Sequence, residues 1–597
     1  MTKQDWYKKM KLTAICIGKT KRHNIRGHGV TTAYLKFEVH GPVRVHASGI
    51  EGNEVAVHND HIYAVSTTTY AYWKERLGGN DEDWPMGRFA ENLVIDGLDE
   101  VALAVGDVLR IGDEVVLSVS GPRIPCFKVC WRLGQPDSFI PEFAISGHSG
   151  IYLNVVKTGT IVAGDQVQVE AKSEPRTLAL NISKALFAGT ASLDQMQAMS
   201  ELEGLSPMSS FFLTSKIAAE RDRAQLSKGR WSGSRALRVK DIRQETPDTK
   251  SVWLEAPDGE APLAGALAGQ FLTVKVPLAE EEITRVWSLS DFQDDPDHYR
   301  MTIKRSPGGP GSAYMHGTLA VGDNLRVSSP MGQFTLARGN PKPVVLFAGG
   351  IGLTPLLAML KAHTSVKNYP PVYFFHAVQD GIHQAHRDEL DQLGALPNVE
   401  VIHIFSRPTK NDISSGRFDY QGHLTKDIIA EKLDGLYIMD GDKRIDMPPY
   451  ELLFFLCGPQ TFQTHVREAL LALKANAHQI YTESFGTEPG APPPPVVETA
   501  EVTFLPDGVV AKWDAGPNLS LLELAEEYGL TPPNACRMGV CHSCASRLVA
   551  GDTFYDREIS IAPPEGEFLL CCARPKTEKV TIILAGDTSK SVEPGKG

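Results

Sequence analysis

Five of the nine cysteines in this 597-residue chain fall within one short stretch, from Cys536 to Cys572. Four residues separate the first two of them and two residues separate the next pair, in the sequence NACRMGVCHSC. Nine cysteines in so long a chain are too few and too unevenly spread for a disulfide framework. The stretch therefore indicates a metal centre, which the chain must hold on an irregular loop.

The spacing of these thiols favours iron over zinc. A C-x4-C-x2-C run with a distant fourth cysteine is typical of plant-type two-iron, two-sulfur centres, whereas zinc sites more often show paired C-x2-C knuckles. A structural zinc site remains the alternative. The preceding residues 520–529, SLLELAEEYG, predict an amphipathic helix that ends at Gly529. The cysteines then follow on a loop, whose backbone N–H groups can turn toward sulfur.

Residues 499–588 resemble plant-type ferredoxins, which have an α+β (β-grasp) fold. In that family Ala-x-Pro follows shortly after the fourth ligand, so LLCCARP makes Cys571 the ligand and Cys572 a packed neighbour. The resemblance implies a 2Fe–2S cluster on four thiolates: Cys536, Cys541, Cys544 and Cys571.

Length and charge limit the remaining possibilities. A chain of this size predicts about three to five domains. The formal net charge is -12 and no long basic run is present, which argues against nucleic acid and acidic membranes as partners. The first residues lack a signal-peptide pattern, and no apolar run approaches the ~20 residues of a membrane span. We therefore expect a cytoplasmic protein.

Composition shifts mark the predicted domain boundaries. A proline-rich linker at 488–498 separates the ferredoxin-like module from the rest of the chain. Residues 10–172 are strand-rich, and residues 173–222 predict three short helices from apolar spacings of three and four. Strand-type alternation resumes after this helical stretch, in residues 234–338. Residues 339–487 form the remaining region before the linker.

The segment KPVVLFAGGIGLTPLLAML predicts a strand, a glycine-rich loop and a helix with Thr354 as N-cap and Pro355 at the first helical position. Such a loop lets the backbone approach a pyrophosphate at the free N–H groups of the helix. Taken alone, it is equally consistent with an ordinary turn. Three further stretches, RVWSLS (285–290), KRSPGGPGSAYMH (304–316) and FFLCGPQTF (454–462), strengthen the nucleotide interpretation.

Together these stretches resemble the ferredoxin-reductase superfamily, in which an antiparallel flavin barrel precedes a nicotinamide-binding α/β domain. The resemblance implies flavin-binding residues Arg285, Trp287, Ser288, Gly311 and Ser312, with Trp287 in place of the more usual Tyr. It implies nicotinamide-binding residues Gly349, Gly350, Gly352, Thr354, Cys457, Gly458 and Pro459. The ending TESFG matches flavohaemoglobins and makes Phe485 a candidate to stack near the flavin, or else a core aromatic. We expect FAD rather than FMN, and NADH slightly before NADPH.

The strand-rich first domain contains a cysteine among positive charges. In GPRIPCFKVCWRLG, Cys126 lies close in sequence to Arg123, Lys128 and Arg132, and neighbouring cations favour a thiolate. A lone cysteine in such sequence is also commonly a packed core residue. Residues 12–172 resemble the MOSC family of β-rich molybdenum-cofactor domains, and the helices at 173–222 resemble the three-helix extension of its bacterial members. The resemblance implies that Cys126 supplies sulfur to molybdenum.

Other first-domain residues are secondary candidates. Four basic side chains could anchor the pterin phosphate: Lys19, Arg44, Arg123 and Lys128. Cys130 is the second candidate thiol, and Cys16 is expected in the core. The chain departs from the family where VAVHNDHIYAV replaces a longer segment and where Ala90 replaces the usual Gly before ENL, which leaves His58 and Asn92 as uncertain site residues.

The domain order predicts a self-contained electron chain from NAD(P)H through flavin and the 2Fe–2S cluster to a molybdenum cofactor. The resemblance to MOSC domains of hydroxylaminopurine-detoxifying and amidoxime-reducing proteins implies that the reaction is reduction of small N-hydroxylated or N-oxide substrates. The alternative is an electron-transfer component that serves a separate oxygenase, with the MOSC-like domain as a docking or sulfur-carrier module.

Overall fold

A computed structural model describes residues 10–584 with short gaps. The gaps are residues 55–61, 172–174, 226–228, 232, 280–281, 441–442, 486–493, 535–538, 540–542, 557–558, 560–562 and 564–565. The chain divides into two compact units. Unit 1 comprises residues up to Arg221 together with Gly339–Pro343 and Glu431–Glu451, and unit 2 comprises Asp222–Arg338, Val344–Ala430 and the chain from Leu452. Within the described ranges, none of the helices combines the length and apolar character that a bilayer span requires.

Strands dominate the first region of unit 1, and eight of them form one large sheet. Its strands are β1 (Lys11–Gly18), β2 (Lys21–Ile25), β3 (His28–Thr32), β4 (Lys36–Val39), β5 (Val43–His46), β6 (Gly49–Ile50), β7 (Ile62–Ser66), β8 (Leu93–Asp96), β9 (Val108–Ile111), β10 (Val115–Pro122), β11 (Ile151–Lys157), β12 (Gly159–Ile161) and β13 (Val167–Glu170). The large sheet has the order β13-β9-β10-β11-β7-β8-β1-β4, and β12-β5-β6 and β2-β3 form smaller sheets. Leu12 and Ile15 of β1 pack into an aliphatic core, whereas Ala14 and Cys16 pack into a second core that is rich in aromatic residues.

Helices of this region include the predicted three-helix stretch. They are α1 (Thr67–Leu77), α2 (Phe127–Leu133), α3 (Phe139–Ile145), α4 (Ala179–Phe187), α5 (Leu193–Ser200) and α6 (Pro207–Gln225). The last three confirm the helices predicted at 173–222. Buried apolar residues of α4, α5 and α6 pack together in one cluster. The apolar spacing of three and four in the sequence places these residues on the helix faces that form this cluster.

A six-stranded antiparallel sheet occupies the predicted flavin region. Its elements are β14 (Arg235–Thr246), β15 (Thr249–Glu255), β16 (Phe271–Pro277), β17 (Glu282–Ser288), β18 (Tyr299–Lys304), α7 (Pro310–Gly317) and β19 (Asn324–Val327). The strand order is β17-β16-β19-β14-β15-β18. α7 lies between β18 and β19 in sequence, where its first turn can face a ligand.

The α/β region follows, and six of its strands form a parallel sheet. Its elements are β20 (Val344–Gly349), α8 (Leu353–Thr364), β21 (Val372–Val378), α9 (Arg387–Gly394), β22 (Val399–Phe405), α10 (Lys410–Ser415), β23 (Tyr420–Gln421), α11 (Lys426–Leu433), β24 (Tyr437–Asp440), β25 (Lys443–Asp446), β26 (Leu453–Cys457), α12 (Gln460–Ala472) and β27 (Ile480–Glu483). The order β23-β22-β21-β20-β26-β27 reverses direction at β20. Ligands of open α/β sheets bind at such a switch point, outside the carboxyl ends of the strands.

Residues 431–451, which include the β24–β25 hairpin, fold as part of unit 1 rather than with the surrounding parallel sheet. The buried Tyr450 ring packs edge-on against Phe127, with ring centres 5.2 Å apart, and against His28 at 5.5 Å. The backbone N–H of Thr31 donates to Asp446 Oδ2 at 3.1 Å. This segment therefore packs against the start of α2, directly beside Cys126.

The last region forms a five-stranded sheet in the order β29-β28-β34-β30-β32, with β31 paired to β33. Its elements are β28 (Thr499–Leu505), β29 (Val509–Asp514), α13 (Leu521–Glu527), β30 (Ala545–Ala550), β31 (Thr553–Tyr555), β32 (Glu567–Leu569), β33 (Ala573–Pro575) and β34 (Lys579–Ile583). α13 confirms the helix predicted from SLLELAEEYG. Ser520 and Glu523 form a capping box at its start.

Candidate functional site

The first turn of α7 forms a cradle for an anionic group. Gly311 lies beneath the side chain of Arg285, because a Cβ at Gly311 would lie 2.8 Å from Arg285 Cγ. The Ser312 hydroxyl donates to the Gly309 carbonyl at 3.1 Å and accepts from the Ser306 N–H at 3.0 Å, which fixes the turn. Free helix N–H groups beside a guanidinium suit a diphosphate, so these residues fit the predicted flavin.

At the edge of the flavin region, Ser288 meets a carboxyl group from the parallel sheet. Its hydroxyl donates to Glu483 Oε2 at 3.4 Å, and burial raises the pKa of Glu483 to about 8. Burial and the nearby Glu483 raise the pKa of the Cys457 thiol. Trp287 is half-buried on β17, and Phe485 is 37% exposed just after β27. Glu483 was not among the predicted site residues, although its position in TESFG, at the carboxyl end of a strand, was a usable signal.

The glycines of the predicted nicotinamide loops meet where β20 and β26 end. A Cβ at Gly352 would lie 2.2 Å from the Cys457 carbonyl oxygen, and one at Gly458 would lie 2.8 Å from Gly349 Cα. Gly458 also has a φ of +148°, a backbone conformation that favours glycine. Pro459 is the N-cap of α12. The closely crossing loops leave a cradle at the switch point, which fits a nicotinamide dinucleotide.

The predictions that Thr354 caps α8 and that Pro355 is its first residue are wrong, because α8 begins at Leu353. Gly350–Gly352 form a short 3-10 turn that runs into the helix, so Gly352 is the N-cap and Thr354 is already the second helical residue. The Thr354 hydroxyl donates to the Ile351 carbonyl at 3.2 Å. Its side chain thus stabilises the glycine loop from within the helix.

Gly352→Ala is expected to disable nicotinamide binding, because the added methyl group would force the two loops apart. A misplacement of about 1 Å near reacting groups can cost about 100-fold in rate. We expect at least a tenfold rise in KM for NADH or a matching fall in flavin reduction rate, measured by stopped-flow absorbance. Gly317→Ala is the control, because a Cβ there meets no atom within 4 Å. Normal flavin reduction in Gly352→Ala would contradict the assignment.

Two of the four predicted cluster ligands lie side by side in the last region. The neighbouring Cys544 thiol and the Gly539 backbone N–H lower the pKa of Cys571, whereas Cys572 and burial raise it. Cys572 is fully buried in the apolar core, and its Sγ lies 3.8 Å from the Leu569 carbonyl oxygen. A loop N–H directed at sulfur is the environment that an iron–sulfur cluster requires. The other two predicted ligands lie outside the described residues: Cys536 and Cys541.

In unit 1, Arg123 is held rigidly near Cys126. Arg123 is 3% exposed, and its Nη2 donates to the Tyr34 hydroxyl oxygen at 2.7 Å. Its guanidinium carbon lies 5.1 Å from the Tyr63 ring centre and 5.2 Å from that of Phe143. Cys126 is half-buried in extended backbone directly before α2. A fixed cation therefore lies in the electrostatic surroundings of this thiol.

Several arginines of unit 1 carry a buried guanidinium nitrogen without a hydrogen-bond partner in the described part of the chain. Among them are Arg88 Nε, Arg123 Nη1 and Arg132 Nε. Burial and the charge of Arg88 lower the pKa of Arg132, so these two cations lie close together. Unpaired buried donors are costly, so these arginines fit an anionic ligand such as a pterin phosphate. Arg88 was missed, because it lies 44 positions from Arg132 in sequence.

The other predicted first-domain residues have different surroundings. Lys128 is buried, which lowers its pKa, whereas the exposed Lys19 pairs with Glu54 at 3.2 Å. Arg44 is exposed on β5. Cys16 and Cys130 are both buried. His58 lies outside the described residues.

Asn92 has a structural role. Its Oδ1 accepts from Lys36 Nζ at 2.8 Å and from the Tyr63 N–H at 3.2 Å, and its Nδ2 donates to the Cys16 carbonyl at 3.1 Å. These contacts join three segments of the core. Ala90 has a φ of +68°, which explains why glycine is the usual residue there.

Comparisons with known proteins agree with this arrangement. Four families match in order: the MOSC domain at 52–168, the oxidoreductase FAD-binding domain at 236–336, the oxidoreductase NAD-binding domain at 346–468 and the 2Fe-2S iron-sulfur cluster binding domain at 504–576. A "Reductase" from Gibberella moniliformis is 26% identical over 575 residues, which are 94% of this chain and 93% of that protein.

Other relatives match part of the chain. The flavohemoprotein of Deinococcus radiodurans is 34% identical over 261 residues, or 43% of this chain and 60% of that protein. The flavohem-like FAD/NAD-binding domain of nitric oxide dioxygenase from Vibrio cholerae covers 42% of this chain and 99% of that chain, at 25% identity and a TM-score of 0.36. Phthalate dioxygenase reductase covers 59% and 98%, at 24% identity and a TM-score of 0.39.

The family matches define an electron-transfer oxidoreductase built from FAD-, NAD- and 2Fe–2S-binding domains. This chain carries a MOSC domain before them.

Proposed function

We propose that the chain is a self-contained NADH-dependent reductase whose FAD and 2Fe–2S domains supply electrons to a molybdenum cofactor held at Cys126 of the MOSC domain. The proposed substrates are small N-hydroxylated or N-oxide compounds. The observation that carries the proposal is the set of unpartnered guanidinium nitrogens in the same unit as Cys126.

The donor set around Cys126 suits this cofactor. Arg88, Arg123 and Arg132 would bind its phosphate, since each presents a buried N–H group without a partner in the described residues. Cys126 would supply a soft sulfur ligand, which molybdenum accepts alongside the sulfurs of its pterin. Lys19 and Arg44 are weaker candidates, because both are exposed and Lys19 is already paired.

The remaining domains would supply the electrons for this reaction. A flavin accepts two electrons as hydride and releases them singly to a one-electron cluster. In this chain the Gly352 and Gly458 loops would position the nicotinamide, while Arg285 and the first turn of α7 would hold the flavin diphosphate. Covalent attachment raises the effective concentration of one domain at another to about the millimolar range.

Reduction of an N-hydroxyl group requires two electrons and two protons, breaks the N–O bond and releases water. Tyr34 is placed to supply one proton to the leaving oxygen. Its hydroxyl oxygen accepts from Arg123 at 2.7 Å, and its own proton has no acceptor within the described residues. Burial raises the pKa of Tyr34, and Cys126 raises it further, so the hydroxyl stays protonated. The fixed guanidinium of Arg123 would therefore orient the Tyr34 O–H toward the substrate oxygen.

Tyr34→Phe is expected to lower kcat for N-hydroxylated substrates by about 100-fold, the usual contribution of a general acid. Molybdenum content and cytochrome c reduction should stay unchanged. Tyr63→Phe is the matched control, because the Tyr63 hydroxyl donates to the Ser149 carbonyl at 2.7 Å and is already committed. An unchanged kcat in Tyr34→Phe would remove Tyr34 from the mechanism.

Elemental and flavin analysis of the purified protein tests the proposed function. We expect one molybdenum atom, two iron atoms and one FAD per chain, with NADH-dependent reduction of an aromatic hydroxylamine. Full iron and flavin with no molybdenum, in protein that nevertheless reduces the hydroxylamine, would overturn the proposal. Full iron and flavin without hydroxylamine reduction would instead favour an electron-transfer component for a separate oxygenase.

A further inference from the structure

Met331 lies beside the flavin segment of unit 2. The backbones of Met331 and Phe271 exchange two hydrogen bonds, of 2.9 and 3.0 Å. On its other side Phe271 pairs with Ser288 of β17. Neighbouring strands are about 4.8 Å apart, so two such steps place the Met331 backbone about 10 Å from Ser288.

The Met331 sulfur also contacts the iron–sulfur region. Its Sδ accepts from the Thr273 hydroxyl at 3.8 Å and from the Ser543 hydroxyl at 4.0 Å. Thr273 belongs to β16 of the flavin region, whereas Ser543 directly precedes the candidate cluster ligand Cys544. Both regions belong to unit 2. One half-buried thioether therefore joins a flavin-domain strand to the cluster-binding loop.

We propose that Met331 is the docking contact through which electrons pass from the flavin domain to the 2Fe–2S domain. The inference rests on the flavin-to-cluster step of the proposed function and is independent of the molybdenum step. NADH would supply a hydride to the flavin, which would pass one electron to the cluster. The second electron would follow once a one-electron acceptor such as cytochrome c had reoxidised the cluster. The rate of electron tunnelling falls steeply with distance. A side chain that fills the space between the flavin domain and the 2Fe–2S domain would therefore set the rate of cluster reduction.

Methionine suits this position for two reasons. Its unbranched, polarisable side chain adapts to irregular surfaces. Its sulfur is a weak acceptor, so the two hydroxyl contacts can form and separate at little cost if the iron–sulfur domain moves during turnover. A carboxylate at the same place would need solvation and would hold the two regions apart.

The test uses the full-length protein with its flavin and cluster, mixed with NADH in an anaerobic stopped-flow instrument. Flavin bleaching and cluster bleaching are followed separately. In Met331→Glu we expect cluster reduction to slow at least tenfold, while flavin reduction and ferricyanide reduction keep their wild-type rates. Met331→Leu, which preserves the volume, should remain within about threefold of wild type. Val321→Ala is the control, because Val321 is a 60% exposed residue of the same region.

Rates are normalised to iron content so that cluster loss is counted separately. Wild-type cluster reduction per iron in Met331→Glu would overturn the docking proposal, whether or not the iron content has fallen. If the wild-type protein itself shows flavin reduction without cluster reduction, the proposed electron route fails instead, so the two failures are distinguishable.

Discussion

Replacing Cys126 with alanine is expected to remove molybdenum from the purified protein and to abolish reduction of N-hydroxylated substrates. Cys126 is the proposed sulfur ligand of molybdenum. The arginines of the site cannot replace it, because guanidinium groups do not bind metal ions. The loss should be at least about 100-fold, which is the upper range for residues that merely support metal ligands. Inductively coupled plasma mass spectrometry and an NADH-coupled assay measure both effects.

Cys130→Ala is the matched control for this experiment. Cys130 lies one helical turn after Cys126, is fully buried and packs with aromatic residues of the core. Its replacement should lower stability by about 1 kcal/mol, as expected for a small core truncation, and leave molybdenum in place. NADH–cytochrome c reduction should persist in both variants. Equal activity of Cys126→Ala and wild type would refute the assigned role of Cys126.

Cys571→Ser is expected to eliminate the iron–sulfur cluster. The visible absorbance of the cluster and the bound iron should be lost, and cytochrome c reduction should fall to the level that the flavin alone supports. Ferricyanide reduction should continue, because ferricyanide accepts electrons from the flavin directly. Reduction of N-hydroxylated substrates should stop, since the proposed electron route passes through the cluster.

The neighbouring cysteine provides an internal comparison for that result. Cys572 is fully buried, and its Sγ lies 3.9 Å from the Cys571 Sγ. Cys572→Ala should keep the iron content and the visible spectrum, with a modest loss of thermal stability. If Cys572→Ala loses iron and Cys571→Ser retains it, the ligand assignment must be exchanged.

Local patterns in the sequence predicted much of the fold. The cysteine spacing and the GGIG loop each depend on chemistry within a few residues, and the family matches confirm the 2Fe–2S and NAD-binding domains. The three helices between 173 and 222 follow from an apolar period that their shared core explains. Even here a boundary error occurred at Thr354, because the glycine loop tightens into a 3-10 turn before α8 begins.

Long-range assembly could not be read from the sequence. Arg88 lies close enough to Arg132 to lower its pKa, but only Arg132 is near Cys126 in sequence, so the pair could not be predicted. Burial raises the pKa of Glu483, and its hydrogen-bond partner Ser288, which lowers that pKa, lies 195 positions away. Residues 431–451 read as part of the nicotinamide domain, yet they fold with unit 1 because Tyr450 finds an aromatic pocket there.

The most direct test of the central claim compares two preparations of the same protein, one from molybdate-supplied cells and one from cells grown with tungstate. Both are assayed for NADH-dependent reduction of an aromatic hydroxylamine and of cytochrome c. We predict that the tungstate preparation loses hydroxylamine reduction and keeps cytochrome c reduction. Equal hydroxylamine reduction by a preparation that contains no molybdenum would contradict the account.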